Sequence, residues 1–201
     1  MSHDVSSSKF WDDCYINNDI GWDLGSITPV FRDWCDRLKD KCSIFVPGAG
    51  NGYDPLYFAS KGHSVTAVDF SVKATENIKK KAQSDNIKIN IVNEDIFNLS
   101  HELFDQFDYV IEYTCFCAID RKRRLDYIEI MSRLLKKNGQ LVGLFLPLLK
   151  DKKEGGPPYS INLKQVINQF SNHFDVLKSS KHPLSIKPRI NNEQYIQFKK
   201  K

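Results

Sequence analysis

The chain has 201 residues, a formal net charge of +4, and 41% hydrophobic and 12% aromatic residues, enough for one sizeable buried core and too few for two comfortable domains. Its basic residues are dispersed: the densest runs, Lys79 to Lys81, Arg121 to Arg124 and Lys199 to Lys201, are separated by acidic or apolar stretches, which argues against a nucleic-acid partner. No apolar run reaches the roughly 20 residues of a membrane span, and the leader "MSHDVSSSKF" lacks the apolar stretch of a signal peptide.

A cytoplasmic monomer is therefore the expectation. The cysteines Cys14, Cys35, Cys42, Cys115 and Cys117 show no C-x-x-C pair and no histidine spacing typical of metal ligands, so reduced thiols and no metal are expected.

After the polar leader, "KFWDDCYINNDIGWDLG" carries Phe10, Trp11, Tyr15 and Trp22 among Asp and Asn; aromatics in such a setting need a surface to cover. In "TPVFRDWCDRLKD" the spacing places Val30, Phe31, Trp34 and Leu38 on one helical face, with Thr28 as N-cap and Pro29 at the first helical position. From residue 43 the pattern alternates. Strands are predicted over 43–46, 64–68, 87–92, 107–112 and 140–147, and helices over 53–60, 72–82 and 121–136. Such alternation implies a mostly parallel sheet with helices on both faces. The end differs: "INLKQVINQFSNHF" has helical period, and two further strands follow with no helix between them, so an antiparallel C-terminal strand is expected.

In an open parallel sheet the ligand sits beyond the carboxyl ends of the strands. Here the first strand turns through Gly48, Ala49, Gly50, Asn51 and Gly52 into a helix. A dinucleotide fingerprint would place a third glycine at position 53, which is Tyr53, and no Gly-Lys-Ser/Thr follows to grip a phosphate. The next strand ends in Asp69, about 20 residues beyond Gly50, where a carboxylate can accept both hydroxyls of an unmodified ribose. After the third strand, "NEDIFNL" offers Asp95 to an adenine amino group and Ile96 and Phe97 to its ring. Asp69 and Asp95 can each also be read as helix N-caps. Together the strand ends present a close-approach turn, a ribose acceptor and an adenine clasp.

These segments, "FWDDCYINNDIGWDLG", "VPGAGNGYD", "VTAVDFS", "NEDIF", "EYTCFCAI" and "EGGPPYS" in order, resemble the thiopurine S-methyltransferase superfamily, and within it the thiol and halide methyltransferase branch. The resemblance covers nearly the whole chain from Phe10. It implies a Rossmann-like class I methyltransferase fold, with residues 1–42 as a helical cover and 43–201 binding S-adenosyl-L-methionine, the product being S-adenosyl-L-homocysteine. By position it implies Trp11, Tyr15, Trp22, Gly48, Gly50, Asp69, Phe70, Asp95, Ile96 and Tyr113 as cofactor residues. Trp22, Phe116 and Tyr159 would shape the acceptor pocket, and Tyr113 and Tyr159 would position the reactants. The chain departs from the animal thiopurine enzymes: Tyr15 stands for Trp, Trp22 for Phe and Tyr113 for Arg. The acceptor implied is a small thiol, thiopurine or halide.

A sulfonium already carries a good leaving group, so transfer to sulfur needs alignment more than acid or base. A thiol is partly ionised to thiolate near neutral pH, and no base is assigned. His63 precedes the second strand on the far side from the ligand, and His101, His173 and His182 fall in predicted surface segments. "GPPY" at Gly156 to Tyr159 resembles the motif of nucleic-acid amino methyltransferases, but it starts with Gly and follows the fifth strand. Two other readings remain open at this point: a cofactor-binding protein without transfer activity, and a nicotinamide-dependent oxidoreductase, against which Tyr53 and Asp95 argue.

Overall fold

The computed structural model describes residues 4–201, which divide into two compact units at Leu99 and Ser100. Helices α1 (Ser8–Ile16) and α2 (Pro29–Asp36) belong to the first unit, together with strand β1 (Ser43–Pro47), helix α3 (Tyr53–Ser60), β2 (Ser64–Asp69), α4 (Val72–Ser84) and β3 (Asn90–Asn93).

Pro29 opens α2 as its fixed φ predicts, and Val30, Phe31 and Cys35 are buried on one face. Thr28 precedes the helix but its side chain does not cap it. Its backbone N–H and hydroxyl instead donate to the two Asp54 carboxylate oxygens at 2.8 and 3.0 Å, tying α2 to the first turn of α3. The hydroxyl is turned toward this charged acceptor on the neighbouring helix and away from the α2 amides.

β1 and β2 pair in parallel with Ser43 level with Ser64 and Pro47 level with Val68. β2 pairs in parallel with β3, Thr66 level with Asn90 and Asp69 with Asn93. The third strand therefore starts later than the apolar run suggests. The Ile87 amide still donates to the Ala82 carbonyl at the end of α4, while Ile87 and Ile89 pack on the cluster of Leu56, Ala67, Ile78 and Ala82; their apolarity reflects burial without pairing. Ile44, Phe45, Phe58 and Ile78 are fully enclosed, each worth about 1.5–3 kcal/mol relative to exposure.

The second unit holds β4 (Phe107–Tyr113), α5 (Cys115–Ala118), α6 (Arg124–Leu134), β5 (Leu135–Phe145), α7 (Leu163–Phe170), β6 (Phe174–Ser180) and β7 (Gln194–Lys200). β4 and β5 are parallel, whereas β7 runs antiparallel to both β5 and β6. The sheet is thus mixed and mostly parallel, with antiparallel C-terminal strands as expected.

The helix predicted over 121–136 divides into a 3₁₀ turn at Arg121–Arg123 and α6. β5 begins earlier than expected because Leu135 pairs with Phe107 before a register shift brings Gln140 level with Tyr109. The core of this unit is aromatic. Phe170 stacks on Phe198 at 4.5 Å and 11°, and Phe145 meets both edge-on. No helix among the described residues is long and apolar enough to cross a membrane, and none of the cysteines forms a disulfide.

Candidate active site

The first unit carries the cofactor-type residues. At the end of β1 the chain turns with Gly48 and Gly50 both at φ 57° and Gly52 at 79°. A Cβ on Gly50 would lie 3.2 Å from the Tyr15 hydroxyl, a tight contact, and one on Gly52 would lie 2.7 Å from Ile78. The turn is pinned from several sides. The Asn51 side-chain amide bonds Asp23, its carbonyl oxygen accepts from the Asn77 side chain at 2.8 Å, and its backbone carbonyl accepts from Lys81 Nζ at 2.9 Å.

Asp69 closes this half. One carboxylate oxygen accepts from the Gly50 amide and the other from the Ser71 amide, each at 2.9 Å. The residue is 8% exposed. Burial pushes its carboxyl up to about 6, partly opposed by those two amide bonds. Each oxygen keeps a second lone pair, so the arrangement fits a ribose diol while bracing the turn. Asn93, at the end of β3, donates to the Asp69 carbonyl at 3.0 Å.

Over the turn lies the aromatic segment. Trp22 meets Trp11 edge-on at 5.4 Å and Tyr15 at 5.9 Å. Burial, with the Asp69 charge adding to it, raises the Tyr15 phenol well above its ordinary range, so it stays protonated. α1 buries no residue fully; it is held by Asp12, whose Oδ1 accepts from the Ser71 hydroxyl at 2.7 Å and the Lys73 amide at 3.0 Å. Sequence reading missed Asp12. An acidic residue among other acids and amides gives no periodic signal, although Ser71 before a helical run is a recognisable N-cap, and it does accept from the Ala74 amide.

Phe70 is half-buried beside Asp69. Asp95 takes the N-cap position of a 3₁₀ turn, accepting from the Phe97 amide at 3.0 Å, and Ile96 is buried behind it. His63 also is structural: it is 7% exposed and its Nδ1 accepts from the Cys42 amide at 3.2 Å.

The second unit carries the acceptor-type residues. Tyr113 ends β4, and its hydroxyl accepts from the buried Arg189 guanidinium, which also lies 4.9 Å from the ring centre. These two are 76 positions apart, which hid the pairing from the sequence. Thr114 then turns through φ 67° into α5. The Phe116 amide donates to buried Glu112 at 2.8 Å.

The Phe116 ring does not line an open pocket. It is 1% exposed and packs on Tyr127, Phe145 and Phe170, so the expectation of a pocket wall is corrected to core: the turn into α5 points its side chain inward. Burial pushes the Cys117 thiol up to about 12, so it is no reactive thiolate.

Tyr159 is half-buried. Its amide donates to the Cys117 carbonyl at 2.7 Å, its ring lies under Arg121 at 5.0 Å, and the ring covers Gly156 so closely that a Cβ there would sit 2.4 Å from it. That explains a glycine before two prolines in "EGGPPYS".

A strand-end glycine turn without a phosphate grip, a buried acid at the second strand end and an aromatic segment over the turn fit a class I S-adenosylmethionine-dependent methyltransferase. Likeness to solved structures agrees on the fold: the Burkholderia thailandensis 1,6-didemethyltoxoflavin-N1-methyltransferase, solved with S-adenosylhomocysteine, superposes with a TM-score of 0.74 at 19% identity over 98% of this chain and 87% of that one.

The thiopurine S-methyltransferase family model matches residues 6–199, and the chain belongs to that family. It is 31% identical to a probable thiol methyltransferase 2 of Arabidopsis thaliana, covering 97% of this chain and 86% of the relative. A thiocyanate methyltransferase 1 of Brassica oleracea is 32% identical over 94% and 84%. The protein is accordingly an S-adenosylmethionine-dependent S-methyltransferase.

Proposed function

We propose that the methyl acceptor is a small sulfur nucleophile, a thiol or a thiocyanate-like anion, with halides taken by the same pocket. The observation that carries this reading is full-length similarity to relatives named for thiol and thiocyanate methylation, covering 97% and 94% of the chain. When bound, S-adenosylmethionine supplies a sulfonium methyl group open to in-line displacement.

In this reading the protein's own groups bind and align. Asp69 accepts from the ribose, with Phe70 beside it; Asp95 and Ile96 receive the adenine; Gly48 and Gly50 allow the methionine end to approach. Trp11, Tyr15 and Trp22 exclude water from that end. The N-terminal segment, residues 1–42, acts as the cover. Tyr113 and Tyr159 position the acceptor, the Tyr159 hydroxyl orienting it and its ring limiting its size, with Trp22 contributing an aromatic face. Alignment and desolvation of this kind supply several kcal/mol of a displacement barrier. A monomer in the cytoplasm is part of the same proposal.

The test is methyl transfer from labelled S-adenosylmethionine to hydrosulfide, thiocyanate, small aryl thiols, a thiopurine and iodide. Product from a small thiol, thiocyanate or iodide is expected. Product from the thiopurine alone overturns the proposed acceptor class. No product anywhere, from protein that binds S-adenosylhomocysteine, overturns the acceptor class as a whole.

A further inference from the structure

Beneath α5 lies a buried charge to which the reading above gives no task. Arg124, the first residue of α6, is 6% exposed, and its Nε and Nη2 are buried without a hydrogen-bond partner. Its guanidinium carbon lies 4.7 Å from the Phe116 ring centre. A guanidinium stays charged in a protein, and leaving two of its donors unmet in the interior is costly enough to call for an acceptor.

Among the described residues none accepts from these two atoms. Glu112 feels the Arg124 charge, but its carboxylate is already engaged by the Phe116 amide and the Tyr127 hydroxyl. The other titratable groups that sense this cluster are Cys115 and Cys117 on α5, Tyr127 on α6, Arg121 on the preceding turn, Tyr159 on the following loop and Arg189 near β7. Arg189 also senses Glu193. Around Cys117 and Tyr159 the fixed charges are the three guanidiniums of Arg121, Arg124 and Arg189, against the Glu112 carboxyl.

Nε and Nη2 share one edge of the guanidinium plane, so their N–H bonds run side by side and a single monatomic or linear anion can accept both. The guanidinium stacks on Phe116 of α5, and the Cys117 carbonyl of the same helix accepts from the Tyr159 amide.

We propose that Arg124 is the charge that selects a small monovalent anion as acceptor, with Glu112 as the counter-charge that tunes it. This rests on the acceptor-site reading of Tyr159 given above. Glu112 is pushed by burial up to about 7. Neutral below that pH, it leaves the arginine uncompensated; ionised above it, it competes with the incoming anion. Anion affinity therefore falls as pH rises through 7.

The test is calorimetric titration of thiocyanate and of iodide into protein saturated with S-adenosylhomocysteine, at pH 6 and pH 8, beside KM and kcat for the same anions. Arg124→Gln is expected to raise Kd and KM for both at least tenfold with S-adenosylhomocysteine affinity unchanged. Glu112→Gln is expected to tighten anions several-fold at pH 8 and to abolish the difference between the two pH values. Unchanged anion affinity in folded Arg124→Gln overturns the proposal. If that variant does not fold, Glu112→Gln decides: unchanged or weaker anion binding at pH 8 overturns it. Arg124-dependent anion binding without methyl transfer would leave Arg124 as an anion site and overturn its role in selecting the acceptor, whereas transfer to anions independent of Arg124 would overturn this inference and leave the acceptor class standing.

Discussion

The Asp12 carboxylate on α1 accepts from both the Ser71 hydroxyl and the Lys73 amide, across 59 and 61 positions of sequence. The Ser71 hydroxyl has one proton and two lone pairs. It gives the proton to Asp12 and takes the Ala74 amide, so it caps α4 and latches α1 at once. Asp12→Ala is expected to loosen α1, which buries no residue of its own, at a cost of about 1.5–3 kcal/mol, the range for a hydrogen bond to a charged group. Hydrogen exchange should rise over 8–16 and S-adenosylhomocysteine affinity should fall, while the core strands keep their protection.

Asp69→Asn keeps the shape and one acceptor oxygen, whereas Asp69→Ala strands the Gly50 and Ser71 amides. Cofactor affinity should fall in both, by about 1.5–3 kcal/mol in the alanine variant, and Tm should fall in both, less in the asparagine variant, whose side-chain nitrogen meets one of the two backbone amides donor to donor. Because burial raises this carboxyl to about 6, S-adenosylhomocysteine affinity of the unaltered protein should weaken as pH falls through 6. Calorimetry between pH 5 and pH 8 checks both.

Gly156→Ala drives a methyl into the Tyr159 ring, 2.4 Å away. The ring must leave its seat, so acceptor KM should rise about tenfold or more with S-adenosylhomocysteine affinity retained, an overpacking cost of about 1–3 kcal/mol. Tyr159→Phe removes only the hydroxyl and should change acceptor preference without a change in cofactor affinity. A kinetic comparison of the two variants separates the ring's packing from its hydroxyl.

Glu112 is raised from 4.5 to about 7, and Asp54 and Asp69 from 3.8 to about 6, burial being the leading cause in each. All three bind their protons more tightly folded than unfolded. The stability they lend is complete below about pH 4 and is lost as pH rises through 6 and 7. Glu112→Gln should flatten the upper part of that decline, measured as denaturant midpoint against pH.

What the sequence made legible was local. Pro29 at the start of α2, the glycines between β1 and α3, and Asp69 at a strand end each announce themselves through backbone geometry or spacing. Phe116 did not: a phenylalanine after a strand can face a ligand or the core, and only the packing of Phe145 and Phe170 decides it. The same holds for Thr28, where Asp54 diverts the cap, and for Tyr113 and Arg189, whose union depends on how distant segments come together. Long-range electrostatics was the least visible, since Arg124 sits in a run of basic residues that reads as a solvated surface.

Three backbone donors of the glycine turn are already engaged. The Ala49 amide goes to the Val68 carbonyl, the Gly52 amide to the Ala49 carbonyl and the Gly50 amide to Asp69. A pyrophosphate settling there would find those protons taken and a buried carboxyl in their place, so it would meet repulsion where nucleotide folds offer an embrace. An adenosine whose 5′ end carries sulfur, as in the proposed binding mode, would meet no such repulsion.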